Sequence, residues 1–88
     1  MSLFFTWDLR KAEANARKHG LSFAEAATAF GDPHSLTIPD PDHSMDEDRY
    51  VLMGTTAGER LVVVVHTWRG ETVRLICARR ATRRERRC

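Results

Sequence analysis

The chain has 88 residues, of which 42% are hydrophobic and 30% charged, a composition that suits one globular domain with a modest core and excludes two. No stretch reaches the ~20 apolar residues of a membrane span, because residues 61–65 are followed at once by His66 and Arg69. The net charge of +2 conceals a separation of sign. Arg79, Arg80, Arg83, Arg84, Arg86 and Arg87 crowd the last ten residues, whereas Asp40, Asp42, Asp46, Glu47 and Asp48 fall within a stretch that holds no Lys or Arg. That asymmetry predicts a basic face for a polyanion and a separate acidic strip. The opening residues lack the basic and long apolar regions of a signal peptide, so a cytoplasmic chain is expected. Two cysteines, Cys77 inside an apolar run and Cys88 at the last position, form no disulfide or zinc pattern. Cys77 is read as a small buried hydrophobe.

Residues 3–7 are short and aromatic and predict a first strand. Asp8 follows as an N-cap, residues 9–19 are helix formers, and Gly20 sits where the chain must turn left-handed. On this helix Asp8, Lys11, Asn15 and Lys18 form one polar stripe, beside a smaller apolar one of Leu9, Ala12, Ala16 and His19. Ser22 and Glu25 make a capping box for a second helix, whose Phe23, Ala26, Ala27 and Phe30 repeat at core-facing spacing until Gly31, Asp32 and Pro33 stop it. Residues 35–38, 49–55, 61–67 and 72–78 then read as strands joined by Gly-bearing turns, which pair antiparallel with their neighbours. Residues 61–65 are apolar on both parities and predict a central strand with a covered face on each side, one of them covered by a partner if not by helices. Strand alternation carries Arg79 onto the same face as Leu75. Thr82 and Glu85 repeat the capping-box pattern and predict a short C-terminal helix. The expected fold is α+β: a small antiparallel meander with two N-terminal helices on one face, in a single domain spanning residues 1–88.

Trp7-Asp8, Lys11, Asn15, Lys18-His19-Gly20, Phe23 to Ala26, Phe30 to Asp32, Glu47-Asp48-Arg49, Val62 to Thr67, and Arg74 to Arg79 with Ala81 and Glu85-Arg86 occur in an order and spacing that resembles the BrnT family of toxins. The resemblance implies a ribonuclease toxin of a type II toxin–antitoxin pair, with a compact fold similar to that of RelE. It also implies a ribbon-helix-helix antitoxin that masks the toxin and carries the pair to operator DNA, as a heterotetramer or with the toxin as a homodimer. Two departures stand out: Cys77 replaces an expected serine, and relatives continue past position 88 through an aromatic residue.

Metal-free RNA cleavage requires a deprotonated 2′-hydroxyl, cations on the pentacoordinate phosphate and a proton for the leaving 5′-oxygen. Arg79 and Arg49 are the candidates for the charge clamp. His66 at a strand end and His19 at a helix end are candidates for proton transfer, with Lys18 sharing that task and Glu47 as a carboxylate base. Lys11, Asn15, Arg80 and Arg83 are the candidates for substrate binding. No cofactor is expected, and the acidic stretch lacks the glycine and terminal glutamate of a calcium loop, so no metal site is assigned. Structural alternatives accompany these roles: His19 as a helix cap, His66 as a satisfied edge histidine, the Lys11–Asn15–Lys18 stripe as a wet face, and Trp7 as core packing. A noncatalytic module that binds nucleic acid or a partner through the same arginines is the competing reading of the whole chain.

Overall fold

The computed structural model describes residues 3–40 and 48–82. Five strands form one sheet in the order β1-β5-β4-β3-β2, with β1 at Phe4–Thr6, β2 at Leu36–Pro39, β3 at Arg49–Thr55, β4 at Leu61–Arg69 and β5 at Thr72–Arg80. Strands β2 to β5 are the expected antiparallel meander, but β1 joins β5 in parallel, pairing Phe4 with Thr72 and Thr6 with Arg74. The sheet is therefore mixed, not purely antiparallel. The reason is connectivity: α1 and α2 lie between β1 and the meander, so the chain can return to the far edge of the sheet in either direction.

Helix α1 spans Leu9–His19. Asp8 caps it by accepting from the backbone N–H groups of Arg10 and Lys11, and Gly20 closes it at φ 65°, a conformation that favours glycine. Helix α2 spans Phe23–Thr28 and tightens into a 3-10 turn at Ala29–Gly31. Ser22 accepts from the Glu25 backbone N–H, yet the Glu25 carboxylate does not complete the capping box. It accepts instead from the Thr56 hydroxyl at 2.9 Å, clamping the β3–β4 turn onto α2. Asp32 performs a similar task one turn later, accepting from the backbone N–H of His34 and, with its other oxygen, from that of Thr55.

The core lies between the helices and one face of the sheet. Leu21, Phe23, Ala26 and Ala29 meet Leu52, Val62, Val64, Val73, Leu75 and Ala78, with Phe5, Trp7, Ala12, Ala27 and Phe30 packed around them. Trp7 stacks edge-on to Phe23 and Phe5 to Phe30, so Trp7 is a packing residue. On α1 the inward residues are Ala12, Asn15 and His19, while Leu9 and Ala16 are exposed. The sequence pattern placed Asn15 outside because it is polar. It is buried because its amide substitutes for a missing strand. β1 ends opposite Arg74, leaving the outer edge of β5 unpaired beyond it. The Asn15 side chain fills that gap, accepting from the Ala78 N–H at 3.1 Å and donating to the Ala78 carbonyl at 2.8 Å and the Leu21 carbonyl at 3.1 Å.

One irregularity decides which way the basic end of β5 faces. Val65 pairs with Cys77 but His66 pairs with Leu75, so Ile76 is an extra residue on β5. A bulge of this kind reverses side-chain parity beyond it. Val73 and Leu75 face the helices, and so does Ala78, whereas Cys77 and Arg79 face the opposite side with Val65 and Val63. The expectation that Arg79 shares a face with Leu75 is therefore overturned by one inserted residue. β5 also runs past the predicted end at residue 78, which puts Arg79 on a strand. The predicted C-terminal helix begins at Thr82, and residues 83–88 lie outside the described part of the chain, as do Arg83, Glu47 and Glu85.

Candidate active site

The face of the sheet away from the helices carries an open cavity of about 360 Å³ lined by Asp40, Arg49, Val51, Val63, Val65, Ile76, Cys77 and Arg79. Its two cations come from different strands. Arg49 is the first residue of β3, paired with Thr67, and Thr67 fixes this corner by donating its hydroxyl to the Asp48 carbonyl at 2.7 Å. Arg79 arrives from β5 opposite Val63, two strands away from Arg49. Both arginines stand on paired strands over a floor of valines, an arrangement that fixes charge more firmly than a loose tail does. The floor comes from β4, whose Val62 and Val64 are covered by helices while Val63 and Val65 turn to the cavity.

A second, shallower recess adjoins the first and shares Ile76 and Cys77 with it; its other lining residues are Lys11, Ala14, Asn15, Lys18 and His19 of α1. The Asn15 clamp on Ala78 sets α1 against β5 at this place, so the helix carries its cations to the rim of the arginine cavity. Lys11 and Lys18 are exposed and His19 is half-buried. Lys11, Lys18, His19, Arg49 and Arg79 are thus brought to one side of the molecule. Asn15 belongs to the same recess, but both hydrogens of its amide are engaged by carbonyls. Arg80 pairs with Val62 and by alternation turns to the helix side, away from Arg79.

His66 is separated from this group. It lies on the helix-covered face, 1% exposed, edge-on to Phe30 at 4.8 Å between ring centroids and tilted against Tyr50 at 6.0 Å. Its Nδ1 lies 3.1 Å from the Val64 carbonyl, which assigns the proton to that nitrogen. Burial lowers its pKa below the usual imidazole value, against a smaller opposing effect of the Val64 carbonyl. Cys77 is half-buried at the cavity wall instead of in the core. Asp40 is a functional candidate that the sequence pattern hides by grouping it with the acidic strip. It is 8% exposed and lines the arginine cavity, because its N–H extends the β2–β3 ladder by donating to the Arg49 carbonyl at 2.8 Å. The usable signal was its position directly after an apolar strand. Among the described residues no three His, Cys, Asp or Glu are gathered as a metal site would gather them, and none of their helices is long and apolar enough to cross a membrane.

The sequence model of a family described as "Ribonuclease toxin, BrnT, of type II toxin-antitoxin system" matches residues 7–85. The chain belongs to the BrnT family. As a BrnT chain it is a ribonuclease toxin of a type II toxin–antitoxin system, with RNA as its substrate and an antitoxin as its partner. Among solved structures it is similar to the Brucella abortus ribonuclease toxin BrnT, at 24% identity and a TM-score of 0.72, over 93% of this chain and 100% of that one. That likeness bears on the fold. No curated protein matches the chain.

Proposed function

We propose that this BrnT chain is an endoribonuclease that cleaves RNA without a metal, in the cytoplasm, and so inhibits translation and growth. The observation that carries the reading is the convergence of Arg49 and Arg79 in one cavity with Lys11, Lys18 and His19 at its rim. Two guanidiniums lining one cavity suit the equatorial oxygens of a pentacoordinate phosphate, where negative charge builds up in the transition state. Lys11 and Lys18 hold the flanking phosphates, and His19 at the C-terminal end of α1 gives a proton to the leaving 5′-oxygen. His66 takes no part in this site, because it stands on the other face of the sheet. Arg80 and Arg83 attract RNA by their charge, and Asn15 acts by holding α1 in place.

The same reading extends to the fold and the partner. The architecture is RelE-like, and the antitoxin is a ribbon-helix-helix protein that masks the toxin in a heterotetramer and brings it to operator DNA. Leu36 and Ile38 of the edge strand β2 support a protein partner on this side, since they are 71% and 57% exposed and share the open face with the arginines by register.

The test is to incubate antitoxin-free protein with total RNA in EDTA, beside an Arg79→Ala variant shown to fold by its melting transition. Cleavage by the parent and a loss of about 100-fold or more in the variant is the expected result, the magnitude typical of removing one transition-state donor. Equal activity of the two proteins removes Arg79 from the site. Intact RNA from a folded parent that still retards RNA at low salt identifies a binding module instead.

A further inference from the structure

We infer that Asp40 is the general base of this site, accepting the proton of the attacking 2′-hydroxyl. The inference rests on the ribonuclease reading above and names a role that it leaves unfilled. Arginines hold charge but do not accept protons at working pH. Lys18 and His19 belong to the rim, and His66 lies behind the sheet. Asp40 is the one carboxylate among the described residues that lines the cavity with Arg49 and Arg79.

Its placement is unusual for an aspartate in a β-strand connection. Burying a carboxylate is costly, and proteins retain one where charged neighbours or function require it. Asp40 is buried at the mouth where β2 ends, and its backbone is tied to Arg49 itself. One ladder bond thus fixes the relative position of the carboxylate and the first arginine, and the second arginine faces them across the valine floor. Phosphate held between the guanidiniums brings the adjoining ribose next to the carboxylate, within the reach that proton transfer needs.

The step balances without an additional reactant. The 2′-O–H bond breaks and its proton passes to Asp40; the 2′-oxygen forms a bond to phosphorus; the bond from phosphorus to the 5′-oxygen breaks, and that oxygen takes the proton of His19. The products are a 2′,3′-cyclic phosphate and a 5′-hydroxyl. Asp40 and His19 return to their starting states by exchange with water.

The role separates catalysis from binding in a way that a structural role does not. Asp40→Asn keeps size and one acceptor oxygen but removes the base and one negative charge from a cationic cavity. The expected result is a fall of about 10²- to 10⁴-fold in kcat on a short RNA, an unchanged or lower KM, and loss of the acid limb of the kcat/KM profile. Asp40→Glu should recover part of kcat together with that limb. An Asp40→Asn protein that retains kcat and the acid limb overturns the inference, as does one whose loss falls wholly in KM. If Asp40→Asn gives no cooperative melt, the parent and Asp40→Glu decide: an acid limb in both supports the base, and a parent with none overturns it. A parent that does not cleave RNA, or that cleaves equally well as Arg79→Ala, refutes the arginine site instead, so the two failures are distinguishable.

Discussion

Asn15 shows how one side chain can complete a sheet. Its amide presents one acceptor and two donors, and all are matched: the acceptor by the Ala78 N–H, the donors by the Ala78 and Leu21 carbonyls. A strand continuing from β1 would satisfy the same edge of β5, but the chain has already turned into α1. Replacing the amide by a carboxylate in Asn15→Asp leaves two buried carbonyls unpaired and adds a buried charge. Each orphaned group costs about 1–3 kcal/mol, so the variant should lose about 3 kcal/mol of stability in a urea titration. It should also lose RNA cleavage, because α1 no longer holds Lys11 and Lys18 against the cavity. A stability within about 0.5 kcal/mol of the parent would show that water replaces the amide at no cost. The burial of Asn15 was hidden in the sequence because polarity alone assigned it to the wet face. Its spacing of three and four residues from Ala12 and His19 is the pattern that marks it as inward, and it becomes visible once the unpaired edge of β5 is known.

At the level of elements, much of the fold was legible. The capping signals of Asp8 and Gly20 gave the bounds of α1, and strand β3 falls where alternation and turn residues place it, because these are local features with local causes. Two non-local features were not. The parallel pairing of β1 depends on where a distant edge lies, and the bulge at Ile76 is invisible in an unbroken apolar run, although it decides on which face Arg79 emerges. Gly54 is a third element-level feature. β3 passes close beneath the 3-10 turn, so a Cβ at Gly54 would lie 3.0 Å from the Ser35 Cβ, 3.1 Å from the Ala29 carbonyl oxygen and 3.3 Å from Leu52. The backbone oxygen has little freedom to retreat, because this turn is stapled to the end of β3 by Asp32. Gly54→Ala should therefore destabilise by about 1–3 kcal/mol, the usual range for overpacking, although alanine is better than glycine in most contexts. An equal or raised melting temperature would mean that the turn shifts freely.

For the molecule as a whole, two groups among the described residues shift stability with pH, and they act in separate windows. His66 is buried and neutral, with its pKa lowered by burial, so the unfolded chain binds a proton more readily than the folded one. Its contribution is complete above the ordinary imidazole value of 6.5 and is lost as pH falls from there through the lower folded value. The slope for one proton is at most about 1.4 kcal/mol per pH unit. Asp32 has its carboxyl pKa lowered first by the backbone N–H of His34 and then by that of Thr55, so its contribution is lost only below the ordinary value of 3.8. The groups facing His66 are the rings of Phe30 and Tyr50 and the side chain of Leu75, none of which offers a negative charge to a protonated imidazole at these pH values. Urea midpoints measured from pH 8 to pH 3 should hold level to about 6.5, decline, and fall again below about 4. His66→Phe, which preserves the ring contacts and removes the titration, should flatten the upper decline and leave the lower one in place. A parent whose midpoint is constant between pH 8 and pH 5 would show that the imidazole reaches water in the folded state, and would break the separation of His66 from the arginine cavity on which the two-sided reading of the sheet depends.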